Sequence, residues 1–370
     1  YTDLDKYNFQ FYNFIIGYLL PQRSFLFGFP IALIVLTLVW LGIKRKKKEE
    51  FLLAGFTAGI FPLFHFHSFM SVIIIICFLF FLYFEKSINY IKNWLYFFIP
   101  MTIIALPQLL FVLVRVTNND TELFRVHLGW MATDNNYLWF WIKNTGFLIF
   151  LVLDTLLSKE TSKDLKKLYI PFVFLFFLAN IISLSPCWIG DNAKVIFFWF
   201  IGSIPLMALS IVRLSKNSKI LTSIIVLTLF LSGGIDLTRF MFTSVRSFRL
   251  WSTDAINVAK EIRLKTPTHS IFLTAPIHYS PIYLTGRATL MGDHVHVCTQ
   301  GIDSFFREQK IKSIFANKPR ALKIKFIKEL NADYALIGPP EKSMLKDKLF
   351  FDNNFKKIIQ VGEESVYKLK

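Results

Sequence analysis

The stretch Pro186-Cys187-Trp188-Ile189-Gly190-Asp191-Asn192-Ala193-Lys194 separates two apolar runs of membrane-spanning length. LYIPFVFLFFLANIISLS (168–185) precedes it and VIFFWFIGSIPLMALSIV (195–212) follows. A charge at the centre of a spanning helix costs roughly 2.5–3.5 kcal/mol, so Asp191 and Lys194 belong at a helix mouth. Two readings share these residues. In one, Asp191 or Asn192 caps the following helix and Lys194 snorkels to the headgroups. In the other, Asp191 is a base or metal ligand, Asn192 an amide contact and Lys194 a cation, all within one helical turn. Trp188 then adds a flat apolar platform.

Outward from that stretch the chain keeps the same character. Hydrophobic residues make up 54% of its 370 positions and the mean hydropathy is +0.47. Spanning helices need about 20 apolar residues. Candidates fall near 25–43, 51–66, 70–84, 94–114, 138–157, 168–185, 195–212 and 220–235. Residues 7–20 are too short and too polar for a span and read as an interfacial or re-entrant helix. The expected architecture is a polytopic α-helical membrane protein of about eight spans with a C-terminal soluble α/β domain. Its parts are a helical domain over 1–235, a basic and aromatic interfacial connector over 236–251 (Arg239, Arg246, Arg249, Trp251), and the α/β domain over 252–370. The chain starts at Tyr1, without Met or a signal sequence, as a fragment of something longer would.

Charge orders the loops. Those at 44–50, 85–93, 158–167 and 213–219 carry five, two, four and three Lys/Arg, whereas 67–69, 115–137 and 186–194 carry none, two and one. This bias puts the first set in the cytoplasm and accounts for much of the net charge of +17 without nucleic acid as a partner. Arg23, His65, His67, the 115–137 loop, the Asp191 stretch and the C-terminal domain then share the outer side. The three cysteines (Cys77, Cys187, Cys298) show no ligand spacing and no disulfide framework.

Arg23 follows Pro21-Gln22 at the outer start of a span, where a guanidinium can take a phosphate or a lipid headgroup. His65 and His67 stand at i,i+2 and share no helical face, so a metal pair there needs extended backbone. Phosphate or sugar contact, and plain interfacial bonding, are the other readings. The outer loop RVTNNDTELFRVHLGWMATDNNY (115–137) carries Asp120, Glu122, Arg125, His127, Trp130 and Asp134, and its length suits a lid, a binding element or disorder. Arg125 and His127 are its candidate substrate contacts. Asn119-Asp120-Thr121 matches a glycosylation sequon, which matters only in a eukaryotic secretory compartment.

The C-terminal part reads as a helix over 253–264, strands at 271–274 and 334–337, an extended piece at 282–284, helices over 302–315 and 319–330, and a hairpin from 356–361 and 365–369. Gly338-Pro339-Pro340 reads as a strand terminator. Arg287, after Gly286, is a further candidate contact. Asp293 with His294 and His296 is a weak metal pattern, since i,i+2 histidines lack a distant partner. Gly301 and Asp303 mark another turn. No G-x-S-x-G, H-E-x-x-H, Walker or C-x-x-C signature occurs, so hydrolase, zincin and ATPase readings lack support.

Together LPQRSFLFGFP (20–30), AGIFPLFHFHSF (58–69), SPCWIGDNAKVIFFW (185–199) and LTGRATLMGDHVHVCTQGIDSFFRE (284–308) resemble the integral membrane glycosyltransferases of the GT-C type, within them the protein-mannosyltransferase-like group. The resemblance covers most of the chain. It implies many spans, a polyprenyl-phosphate-linked sugar as donor, membrane lipids around the site, and transfer to an acceptor glycan, lipid or protein on the outer side. The expected location is a bacterial inner membrane or, in a eukaryote, the endoplasmic reticulum, and a divalent metal ion is the candidate cofactor. The family's usual acidic residue stands in the first large outer loop between two early spans. Here Asp3 and Asp5 have no span before them: in a fragment that carboxylate would stand upstream of Tyr1, and in a complete chain its absence would count against glycosyl transfer. Asp191 is the candidate catalytic residue, with Arg23, His65, His67, Arg125, His127, Trp188, Asn192, Lys194 and Arg287 as substrate contacts. The C-terminal domain is expected to cover the outer mouth. The alternative from the same residues is a flippase or transporter for a lipid-linked sugar or anionic solute, against which the scarcity of mid-span charge counts.

Overall fold

Each of the eight apolar runs is helical over most of its length, because long runs of Leu, Ile and Phe can satisfy their backbone only internally once water is excluded. The computed structural model describes residues 7–11, 13–117, 125–134, 136–185, 188–242, 249–299, 302 and 304–370, without the side chains of residues 115–117. Asp3, Asp5, Asp120, Glu122, the sequon, Cys187, Arg246, Gly301 and Asp303 lie outside the described residues. The chain divides into two compact units, Tyr1–Val114 with Thr121–Arg246, and Arg115–Asp120 with Ser247–Lys370.

The helices of the first unit are α1 (Arg23–Arg45), α2 (Lys48–Gly59), α3 (Phe66–Leu82), α4 (Ile88–Thr117), α5 (Tyr137–Thr145), α6 (Leu148–Leu157), α7 (Lys163–Ile181), α8 (Asn192–Asn217) and α9 (Lys219–Met241). Four segments are long and apolar enough to cross a membrane: Arg23–Arg45, Ile88–Val114, Ile189–Asn217 and Lys219–Met241. A fifth candidate is the pair α5 and α6, bent by 97°. The expectation of eight full-length spans thus gives way to four or five by length and composition. The reasons are local. α2 ends at a turn before Pro62, α3 is shorter, and α7 opens with Lys163, Asp164, Lys166 and Lys167. α9 continues to Met241, so the expected connector begins later than residue 236. Within 7–20, residues Ile15–Leu19 form one π-helical turn.

Apolar side chains cover the outside of this unit as well as its core. Ile99, Ile103, Leu106 and Leu110 on α4, and Ile220, Leu227, Phe230 and Leu231 on α9, are all exposed, the pattern of a surface whose solvent is hydrocarbon. Where apolar surface cannot drive helices together, close approach does. A β-carbon placed on Gly55 of α2 would lie 2.4 Å from the Phe97 carbonyl oxygen of α4, and Gln108 of α4 donates to the Gly59 carbonyl at 2.8 Å.

The basic loops gather at one end of the bundle. Lys44 pairs with Asp164 at 2.5 Å and Lys46 with Glu85 at 2.8 Å. Asn93 donates to the Lys46 carbonyl, and Lys167 lies over the Tyr83 ring. On α8, Arg213 reaches Asp154 of α6 at 2.8 Å.

The second unit holds a mixed five-stranded sheet, order β4-β3-β5-β7-β6, from β3 (Ile271–Leu273), β4 (Ala288–Thr289), β5 (Tyr334–Ile337), β6 (Lys356–Val361) and β7 (Glu364–Lys368). β3 runs parallel to β4 and β5, and β7 antiparallel to β5 and β6. Alternation sorts the side chains. Phe272, Leu336 and Val366 pack with Val258 and Ile262 of α10 (Thr253–Lys265). Leu273, Ala335, Ile337 and Tyr367 meet Ile311, Ile314 and Phe315 of α12 (Phe305–Phe315) and Ile327 of α13 (Arg320–Leu330). Between β4 and α12 lies α11 (His294–Thr299), and after β5 come α14 (Pro339–Met344) and α15 (Phe350–Asn354). The expected extended piece at 282–284 is instead a 3-10 turn, Pro281–Leu284, closed by Pro281 and the Ser280 cap.

Two carboxyls are buried beside β5 and β7. Glu341 accepts from the Ala275 and Gly338 amides at 2.8 and 3.0 Å. Glu364 is 4% exposed; burial, then the Glu341 charge, raise its pKa from 4.5 to about 7. The folded form therefore holds more protons than the unfolded form between those values, and stability falls as pH rises through that window. Hydrogen-exchange protection of β7, corrected for intrinsic rates, is expected to be lower at pH 7.5 than at pH 5.5. Glu364→Gln should remove most of that difference. In the helical unit, Gly55→Val should lower stability in detergent by about 1–3 kcal/mol, read as an earlier thermal transition.

Candidate functional site

Asn192 is the residue that shapes the mouth. It is fully buried; its Nδ2 donates to the Ala179 and Ile182 carbonyls at 2.8 and 2.7 Å, and its Oδ1 accepts from the Leu184 amide at 2.9 Å. One side chain thereby satisfies the open carbonyls where α7 ends and fixes the start of α8 against them. Both amide hydrogens are spent, which makes Asn192 a tie between helices.

Asp191 and Lys194 sit on that tie. Their side chains are only 10% and 13% exposed, and Lys194 Nζ is 2.6 Å from Asp191 Oδ1. Asp191 Oδ2 accepts from the Ser185 hydroxyl at 3.2 Å. A buried ion pair needs such extra bonds to offset desolvation. Trp188 is half exposed, its ring lying over Gly190, where a β-carbon would come within 2.7 Å.

Two further helix starts meet this one. Ala193 and Phe197 of α8 pack with Tyr18 and with Phe25 of α1, and the Phe25 ring lies 5.1 Å from that of His65, which caps α3. Gly28 permits the approach, since a β-carbon there would stand 2.5 Å from His65 Cβ. His65 Nδ1 accepts from the Ser68 amide at 3.1 Å, which leaves the ring proton on Nε2. Among the described residues, that Nε2 is buried without a partner, as is His67 Nε2. The two rings are 6.0 Å apart. The Lys194 charge acts on both imidazoles and the Asp191 charge on His67. A ring nitrogen that carries its proton donates and does not ligate, so the His65 nitrogen left over suits an anionic or sugar oxygen better than a metal.

Arg23 begins α1, two residues before Phe25; it is exposed and, among the described residues, has no hydrogen-bond or ion-pair partner. Beside it Gln22 Oε1 is buried and unsatisfied. Arg125 and His127 are exposed on a short segment docked to the end of α7: Arg125 and Val126 (β1) pair with Ser183 and Ile182 (β2), and the His127 amide donates to the Ile181 carbonyl at 2.7 Å. Trp130 Nε1 donates to the Ala179 carbonyl at 2.8 Å. That half of the 115–137 loop is therefore built structure. Arg287 belongs to the second unit, where its guanidinium is engaged: it donates to the carbonyls of Thr285, Arg263 and Thr266 at 2.8, 3.0 and 2.6 Å, closing the end of α10.

The expected metal pattern is redrawn. His294 pairs with Glu308 at 2.7 Å, whereas Asp293 and His296 meet His278. Sequence reading passed over Ser185, Ser68 and Gly28. A hydroxyl or a glycine carries no signal of its own until folding shows which side chain it supports or admits.

With this geometry in view, comparison with known proteins finds no family model that matches the chain and no curated protein that matches it.

Asn192→Ala would leave the Leu184 amide and two carbonyls unpaired. We expect it to cost on the order of 3 kcal/mol, a larger loss than from Trp188→Ala at the exposed platform. Thermal melts of both variants in one detergent would show the order.

Proposed function

We propose that the chain is a membrane glycosyltransferase that moves a sugar from a polyprenyl-phosphate-linked donor to an acceptor hydroxyl. The observation that carries this reading is a pair of buried, unpartnered imidazole nitrogens beside the Asp191–Lys194 pair, where three helix starts meet. Helix N-termini favour anions, Lys194 supplies a cation, and Arg23 stands unpartnered at the same end. The donor phosphate takes Lys194, exchanging one anionic partner for another, and His65 donates from Nε2 to a phosphate or sugar oxygen. Asp191, released from Lys194, takes the acceptor's hydroxyl proton. The acceptor oxygen bonds to the anomeric carbon, the bond from that carbon to the phosphate oxygen breaks, and polyprenyl phosphate leaves with the electron pair. Arg125, His127 and Trp188 border the mouth on the acceptor side.

In the same proposal all eight helical runs enter or cross the bilayer, the lysine-rich end is cytoplasmic, and the mouth opens on the extracytoplasmic side of a bacterial inner membrane, or of the endoplasmic reticulum in a eukaryote. The 97° break between α5 and α6 favours a second reading, a flippase for a lipid-linked sugar, since transporters build solute sites at broken helices.

The test uses the purified chain, a labelled polyprenyl-phosphate sugar and liposomes. Release of polyprenyl phosphate is expected, falling about a hundredfold or more in Asp191→Asn, with a raised KM in Arg23→Ala. Equal turnover in both variants would remove the assignment, and lipid translocation without sugar transfer would select the flippase.

A further inference from the structure

Outside the mouth, one cluster of side chains is arranged as ligands are. His278 follows the β3 strand end, and Asp293 and His296 lie at the start of α11. Asp293 Oδ2 is 3.5 Å from His278 Nε2, and Asp293 Oδ1 is 3.2 Å from His296 Nδ1. The two imidazole rings are 4.6 Å apart and nearly perpendicular, at 87°. One ligand atom from each residue can be chosen so that all three lie within 4.8 Å of one another. Among the described residues no other group of three His, Cys, Asp or Glu side chains is this close.

We propose that His278, Asp293 and His296 bind one divalent transition-metal ion, for which zinc is the best match. Bonds of about 2.0–2.2 Å in a tetrahedron put neighbouring ligand atoms roughly 3.3–3.5 Å apart; each imidazole stands at about that distance from one oxygen of the Asp293 carboxylate, and a set of one atom per residue spans no more than 4.8 Å. Two imidazoles and a carboxylate form a borderline donor set that suits zinc and disfavours calcium or magnesium, which take oxygen ligands. His278 supplies the distant partner that a local Asp-x-x-His pattern lacks: it stands on a separate loop, so the ion would join two segments rather than decorate one turn. The Val295 and His296 amides donate to Asp293 Oδ1 at 3.1 and 3.3 Å, which orients the carboxylate and leaves Oδ2 toward His278. His278 and His296 are substantially exposed, 49% and 72% by side chain, so solvent reaches the ion. Three protein ligands leave the fourth position to water or to an anionic oxygen. This site is independent of the glycosyltransferase reading.

Purified full-length chain, without a polyhistidine tag and stripped with chelator, is titrated with zinc against a chromogenic competitor. One equivalent is expected to bind. His278→Ala, Asp293→Asn and His296→Ala should each weaken it by about tenfold or more, whereas His294→Ala, which pairs with Glu308, and His65→Ala/His67→Ala should leave it in place. Cobalt in the same site should give the visible absorption of a tetrahedral ion, lost in His278→Ala. No stoichiometric zinc in the parent chain, or the parent's affinity retained in His278→Ala and Asp293→Asn, would overturn the proposal.

Discussion

The constraint beneath the helical unit is the cost of leaving charge in hydrocarbon, several kcal/mol for each unsatisfied group. It sorts the ionisable residues of the helices to two ends. At one end, Lys44 and Lys46 pair with Asp164 and Glu85, Arg213 pairs with Asp154, and Lys167 lies against the Tyr83 ring. At the other stand Asp191, Lys194, His65, His67 and Arg23. Between them the cores of α1, α3, α4 and α8 carry no Asp, Glu, Lys, Arg or His. The aromatic and aliphatic packing in the middle fits the helices together.

Local chemistry then draws the helix ends of the second group together. Asn192 closes the turn between α7 and α8, Gly28 admits His65 against α1, and Ser185 steadies Asp191. Each is a small polar or small-volume solution to a problem created by bringing helix ends together. What is left over is unusual: two imidazole nitrogens buried without partners, next to an ion pair that is itself nearly enclosed. Buried donors of this kind cost free energy unless something bonds to them, and a phosphate or sugar oxygen would do so.

Much of this was legible in the sequence. Loop charge counts put Arg23, the histidines and Asp191 at one end, and that is where they fall. The α/β character of the C-terminal part followed from Ile271-Phe272-Leu273 and Tyr334–Ile337. Span length was less legible, because hydropathy does not register the break after Gly59, the 97° bend between α5 and α6, or the charges that shorten the apolar part of α7. Asn192 and Arg287 are of types that bind ligands, and in the fold both bond backbone carbonyls, a use that depends on where the chain ends meet. His278 stood fifteen residues before Asp293, and only the folded loops put it beside that carboxylate.

Sidedness carries the account, and labelling reads it directly. Cysteines placed singly at Lys46 and Trp188, both exposed, are treated with a membrane-impermeant maleimide in sealed vesicles of known orientation, measured above the background of the native cysteines. The account predicts that one of the two reacts from outside and the other only after the vesicles are opened. Reaction of both from the same bath would put the lysine loops and the Asp191 mouth on one face, and the proposed pocket would then have no membrane to span.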